Sequence, residues 1–132
     1  MIPKTLVISD LHLTNKFNRK KYDYLVKLIS KFDRLIINGD LWCVLTITFD
    51  DFINSDWHRL FPLLKSKKTI YIPGNHDPAK FTDKRVYLFC DRLVNEYDLK
   101  DPPFTFHIEH GPRLLKRIYP EDEKTINFLK LI

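Results

Sequence analysis

Carboxylates and imidazoles recur along this sequence at spacings that suit metal chemistry. Asp10-Leu11-His12 follows a first short apolar run, and Asn38-Gly39-Asp40 follows a second. Pro73-Gly74-Asn75-His76-Asp77 follows a third, and His110-Gly111 a later one. A carboxylate and an imidazole offered together are good ligands for Mn²⁺, Fe²⁺ or Zn²⁺. Read as extended backbone, alternation puts Asp10 and His12 on the same side of the chain. Gly39 and Gly74 permit tight turns after the strands, so that the residues beyond them converge. Singly, each group has a plainer reading: Asp10 as a helix cap, Asn75 as a turn residue, His12 and His110 as ordinary histidines. Their recurrence at successive strand ends is what favours one shared site.

The elements that must position them follow from the apolar pattern. Thr5-Leu6-Val7-Ile8-Ser9, Leu35-Ile36-Ile37 and Thr69-Ile70-Tyr71-Ile72 read as short buried strands. Between them, Tyr22, Leu25, Leu28, Ile29 and Phe32 trace one face of an amphipathic helix. Ile53, Trp57, Leu60, Phe61 and Leu64 trace a second, with Asn54 or Ser55 available as its cap. Strand and helix in alternation predict an α/β fold with a parallel sheet, whose ligands gather beyond the carboxyl ends of the strands. Residues 85–90, 93–98 and 104–109 read as three further strands in antiparallel pairing. Asp101-Pro102-Pro103 turns between the last two, and residues 112–132 read as helical.

Composition bounds the function classes. The 132 residues carry 44% hydrophobic and 14% aromatic side chains, enough to build one domain over residues 1–132 and to argue against disorder. No apolar run, including residues 41–47, approaches the roughly 18 residues of a membrane span. Cys43 and Cys90 form no Cys-x-x-Cys pair, so a disulfide framework is not expected and a reducing cytoplasm is the expected compartment. Lys and Arg number 22 against 17 Asp and Glu, a net charge of +5, with basic clusters at Lys16/Arg19/Lys20/Lys21, Lys65/Lys67/Lys68 and Arg113/Lys116/Arg117. Such a surface draws in phosphorylated ligands. Nucleic acid is not favoured, because no aromatic residues interleave with the basic ones.

Ser9-Asp10-Leu11-His12, Gly39-Asp40-Leu41-Trp42, Gly74-Asn75-His76-Asp77 and His110-Gly111 resemble, in order, the first four signature blocks of the calcineurin-like metallophosphoesterases. The resemblance runs over residues 4–112. It implies a four-layer αββα sandwich with two divalent metal ions (Mn, Fe or Zn) between the sheets. It also implies hydrolysis of a phosphomonoester, phosphodiester or pyrophosphate by a hydroxide that the two metals activate. Carried over, Asp10 and His12 hold the first metal, Asp40 bridges both, and Asn75 and His110 hold the second. His76 is the catalytic histidine beside the phosphate. Asn75, His76 and Trp42 are the expected substrate contacts, with Phe49 as a further wall, while Asp77 shapes the turn.

Two departures from the family pattern stand beside the resemblance. The family's Gly-His-x-His block does not occur, since the five histidines are His12, His58, His76, His107 and His110. Each metal is then one imidazole short, and the domain reads as shortened, with a second sheet incomplete at the C-terminal end. An active enzyme, a degenerate module that binds metal or a phosphorylated ligand, and half of a split or oligomeric enzyme completed by a second chain all stay open. The other departure is Cys43, which stands where the family commonly carries an acid that orients the catalytic histidine. A thiol there is a weak hydrogen-bond partner.

Overall fold

The computed structural model describes residues 2–111. Strands β1 (Thr5–Ile8), β2 (Arg34–Asn38), β3 (Ile70–Ile72) and β4 (Arg92–Leu93) form a parallel sheet in the order β1-β2-β3-β4. Helix α1 (Arg19–Ile29) supplies the crossover from β1 to β2, and helices α2 (Phe49–Asn54) and α3 (Phe61–Ser66) that from β2 to β3. Strands β5 (Glu96–Asp101) and β6 (Phe104–Glu109) pair antiparallel as a separate hairpin. This mixed α/β arrangement, a parallel sheet with a small antiparallel one, accords with the expected fold class. The second helical layer and the helical reading of residues 112–132 fall outside the described residues.

The strands divide their side chains between two cores with the period of two that a strand requires. Leu35, Ile37 and Tyr71 join the main core with Leu25, Ile29, Phe52, Trp57 and Phe89. Ile36 and Ile72 face the other way and meet Ile108, with Tyr97 and Leu99 packed against them. The parallel sheet is therefore covered on both faces, by helices on one and the hairpin on the other. Strand β1, at the sheet's edge, departs from the expected full burial: Val7 is 43% exposed.

Three expected elements differ in detail. The second helical face is broken into α2, a 3-10 segment at Asp56–Leu60, and α3. Extended Ser55 stops α2 and caps the 3-10 segment through its hydroxyl, and Pro62 sits in the first turn of α3, where its missing N–H costs nothing. Residues 85–90 are not a strand, because Lys84–Leu88 is a 3-10 helix capped by Asp83. Val86 and Phe89 turn inward three residues apart, the repeat of a 3-10 turn rather than of a strand. Residues 93–98 are not one strand either. The chain leaves the parallel sheet after β4 and opens the hairpin at Glu96.

Phe89 sits at the centre of the main core, with ring centroids 6.2 Å from Phe52, 5.1 Å from Phe61 and 5.4 Å from Tyr71. Phe89→Ala removes the ring that joins α2, α3 and β3. It is expected to cost about 3–5 kcal/mol in unfolding free energy by denaturant titration.

Candidate metal centre

The candidate ligands converge through left-handed backbone rather than through strand alternation. Asp10 (φ 58°), His12 (φ 46°) and Asp40 (φ 57°) all have positive φ, so the expectation of an extended Asp10–His12 segment is corrected. Such conformations strain residues with a Cβ and persist only where surroundings hold them. Here the Asp10, His12 and Leu13 amides donate to the Gly39, Asp40 and Leu41 carbonyls at 3.1, 2.9 and 2.9 Å. The loops after β1 and β2 thus stay zipped beyond the strand ends. Lys21 also donates its ammonium to the carbonyl of Leu11, between the two candidate ligands.

One ligand atom from each of Asp10, Asp40 and His110 lies within 4.8 Å of the others. His12 Nε2 is 3.6 Å from Asp10 Oδ1 and 3.7 Å from Asp40 Oδ2, and His110 Nε2 is 3.3 Å from Asp40 Oδ2. His110 Nε2 also lies 3.1 Å from Asn75 Oδ1. Ligands about 2.0–2.2 Å from one ion sit about 3–3.5 Å apart, so this donor set fits divalent cations. The two glycines act by closeness as well as by turning. A Cβ on Gly74 would lie 2.2 Å from Asp40 Oδ1, and one on Gly39 (φ 80°) 2.1 Å from His110 Nδ1.

Burial grades across the cluster. Asp40 and His110 have side chains 3% and 8% exposed, whereas Asp10 and His12 are 57% and 39% exposed. Burial pushes the Asp40 carboxyl up, but the His110 hydrogen bond and the His76 amide, 2.9 Å from Oδ1, outweigh it and hold the group below the ordinary value. Asp40 and then the Asn38 carbonyl, 2.8 Å from Nδ1, push His110 up to about 9 against its burial. Both ring nitrogens of His110 face oxygens, which favours the doubly protonated ring. A cation must take the place of the Nε2 proton, while the Nδ1–H bond to Asn38 keeps Nε2 aimed at the site.

Asn38 is a residue that sequence reasoning passed over. Its carbonyl accepts from His110, and its side-chain amide donates to the Glu109 carbonyl at 3.1 Å. One residue at the end of β2 therefore anchors the end of β6 and brings His110 across from the hairpin. The signal was weak, since an Asn before a glycine reads first as a turn.

Asp77 fixes the rest. It is fully buried, and its two oxygens accept from the amides of Asp40 (2.8 Å), Leu41 (2.7 Å) and Gly74 (2.6 Å) and from the Tyr71 hydroxyl (2.5 Å). The turn-shaping role expected of Asp77 thus extends to the loop that carries Asp40. Burial raises the Asp77 carboxyl above its ordinary value against those four donors, and burial beside Asp77 pushes Tyr71 well up, so its hydroxyl stays a donor.

His76 lies beside this cluster, its ring edge-on to His12 with centroids 4.9 Å apart and its Nδ1 3.4 Å from Cys43 Sγ. Trp42 does not line the surface. It is fully buried between Phe49, at 5.5 Å, and Phe52, at 6.1 Å, so the expected substrate contact is corrected to a core residue. Phe49, 5% exposed, belongs to the same core. His107 points away from the cluster and pairs with Asp98 at 2.6 Å on the hairpin's exposed face. Of the basic groups, Lys65 is bound to the Cys90 carbonyl and Asp91, and Arg113, Lys116 and Arg117 lie outside the described residues.

The fold and this cluster accord with what the comparisons find. The chain matches the calcineurin-like phosphoesterase family model over residues 3–131, and it belongs to that family. No protein of curated function matches it. Among solved structures, Pseudomonas putida nuclease MPE superposes with a TM-score of 0.53 at 22% identity, covering 74% of this chain and 50% of the nuclease. AQ665 from Aquifex aeolicus, a protein of unknown function, superposes with a TM-score of 0.58 at 18% identity, covering 94% and 70%. This chain spans half the length of the nuclease, and at these identities the likeness is one of fold.

Two measurements test the geometry. Asp77→Ala strands the amides of Asp40 and Leu41, both buried and each costing about 1–3 kcal/mol, and that of half-buried Gly74, so a loss of at least about 2 kcal/mol is expected in denaturant unfolding. The raised His110 value sets a pH dependence. Its contribution to the stability of the metal-free protein is complete below the ordinary 6.5 and is lost as pH rises through about 9. Cation binding runs the other way: affinity rises between those values with release of one proton at His110, measurable by titration calorimetry in buffers of different ionisation enthalpy.

Proposed function

We propose that this chain is a phosphoesterase whose two divalent cations are held by Asp10, His12, Asp40, Asn75 and His110. The observation that carries the reading is the convergence of Asp10, Asp40 and His110 within 4.8 Å at the ends of β1, β2 and β6. Divalent cations there supply Lewis acidity to a phosphoryl group and lower the pKa of water. The protein's own residues do the rest. Asp40, almost fully enclosed, is the oxygen donor common to His12 and His110, and its second oxygen holds the His76 amide. His76 turns Nδ1 toward Cys43, leaving Nε2 to hydrogen-bond a phosphoryl oxygen and to protonate the departing one. The exposed Asp10 and His12 edge keeps the site open to a phosphorylated small molecule or nucleotide-like substrate. The net charge of +5 favours such a ligand by steering.

A second reading, phospho-ligand binding without turnover, is favoured by Cys43, whose thiol holds His76 more weakly than a carboxylate would. One set of assays separates the two. Mn²⁺-loaded protein is offered an aryl phosphomonoester, an aryl phosphodiester, a dinucleotide and a nucleoside diphosphate sugar. Hydrolysis of at least one is expected, with His76→Ala lowering kcat by about 10²–10⁴-fold and Asp40→Asn losing metal by elemental analysis. Binding of phosphate with no hydrolysis of any substrate supports the second reading instead. Cys43→Asp is expected to raise turnover, and an unchanged or lower rate removes the orienting role of position 43.

A further inference from the structure

We propose that His12, Cys43 and His76 form a second, sulfur-containing metal site for a thiophilic cation such as Zn²⁺. On the phosphoesterase reading above, its occupation withdraws His76 from phosphate and so regulates the enzyme. One ligand atom from each of the three residues lies within 4.8 Å of the others. In a tetrahedral zinc site, bonds of about 2.3 Å to sulfur and 2.0–2.1 Å to nitrogen place S and N about 3.6 Å apart. Cys43 Sγ and His76 Nδ1 already stand at 3.4 Å. The His12 ring meets the His76 ring edge-on at 4.9 Å and supplies the third donor.

Backbone hydrogen bonds hold the trio in place. The Val44 amide donates to the His76 carbonyl at 2.7 Å, which ties the loop after β2 to the loop after β3 beside both side chains. The amides of Thr46 and Ile47 both donate to the Cys43 carbonyl at 3.0 Å, and the His12 amide is fixed to Asp40. Cys43 is buried, and His12 and His76 are half-buried, so an ion entering from the open side meets the two imidazoles before the sulfur.

The chemistry of the donors separates this set from its neighbour. Asp10, Asp40 and His110 offer two carboxylates and one imidazole, whereas His12, Cys43 and His76 offer a sulfur and two imidazoles with no carboxylate. Softer donors select Zn²⁺ over Mn²⁺ or Mg²⁺. On binding, the Cys43 thiol gives its proton to water and the thiolate and both neutral imidazoles donate lone pairs. His12 also faces Asp10 and Asp40, so an ion in the sulfur site competes for it with an ion in the carboxylate cluster.

Co²⁺ is the probe. Reduced protein titrated anaerobically with Co²⁺ is expected to develop thiolate-to-cobalt charge-transfer absorbance in the near ultraviolet. The band should be abolished by Zn²⁺, absent in Cys43→Ser, and retained in Cys90→Ala. A wild-type protein without the band, or a band that survives in Cys43→Ser, overturns the site. Circular dichroism checks that Cys43→Ser is folded; should it fail, His76→Gln serves, with Co²⁺ affinity at that band expected to fall at least about tenfold and an unchanged affinity counting against the proposal. In the Mn²⁺-loaded enzyme, Zn²⁺ is expected to inhibit, and Cys43→Ser to raise the half-inhibiting concentration at least about tenfold relative to its own uninhibited rate. The band with no phosphoester hydrolysis leaves the sulfur site standing and removes the phosphoesterase reading. Hydrolysis without the band does the reverse.

Discussion

The carboxylate of Asp77, sealed from solvent, is the constraint on which the candidate centre depends. It gathers amides from two separate strand-end loops and a hydroxyl from β3. A buried carboxylate is costly unless its lone pairs are filled, and here four donors fill them. The arrangement fixes where Asp40 begins, because the Asp40 amide is one of the four. Gly74 then lies against the Asp40 carboxylate, at a distance only a residue without a side chain allows.

From that anchor the donor groups divide by chemistry. Asp40 faces His12 on one side and His110 on the other, so one buried carboxylate sits where two ions could share it. The imidazole of His76 and the sulfur of Cys43 lie to one side, where donors are softer and no carboxylate intervenes. Hard and soft donors separated by a single histidine give the centre two ways to hold a cation. His12, turned by its left-handed backbone, belongs to both.

The candidate site was more legible in the sequence than the elements around it. Asp10, His12, Asp40, Asn75 and His76 could be named because polar residues after apolar runs fall at the strand ends of a parallel sheet, and His110 because the same pattern recurs after the run at 104–109. The means of convergence could not be read. An Asp-x-His pair looks extended by default, and only the hydrogen bonds that the Asp10 and His12 amides donate to carbonyls of the second loop reveal why left-handed backbone is stable there. Trp42 misled because proximity in sequence to Asp40 says nothing of direction: two residues beyond one that faces the cluster stands one that faces the core. Residues 84–88 misled because a short apolar stretch serves a strand and a 3-10 turn equally well, and tertiary packing of Val86 and Phe89 decides between them. Asn38 and Tyr71 act through hydrogen bonds to distant residues, and no local pattern marks such partners.

The clamp from Asn38 to the end of β6 has a consequence for the order in which the molecule is assembled. Asp10, His12 and Asp40 follow neighbouring parallel strands and can meet as soon as that sheet forms. His110 arrives only when the hairpin docks, 72 residues further along the chain from Asn38. Such a long-range contact closes late, after the local ones have been made. Any cation that binds His110 and Asp40 together therefore binds the docked state alone and shifts the docking equilibrium toward it by mass action. The centre doubles as a latch between the two sheets.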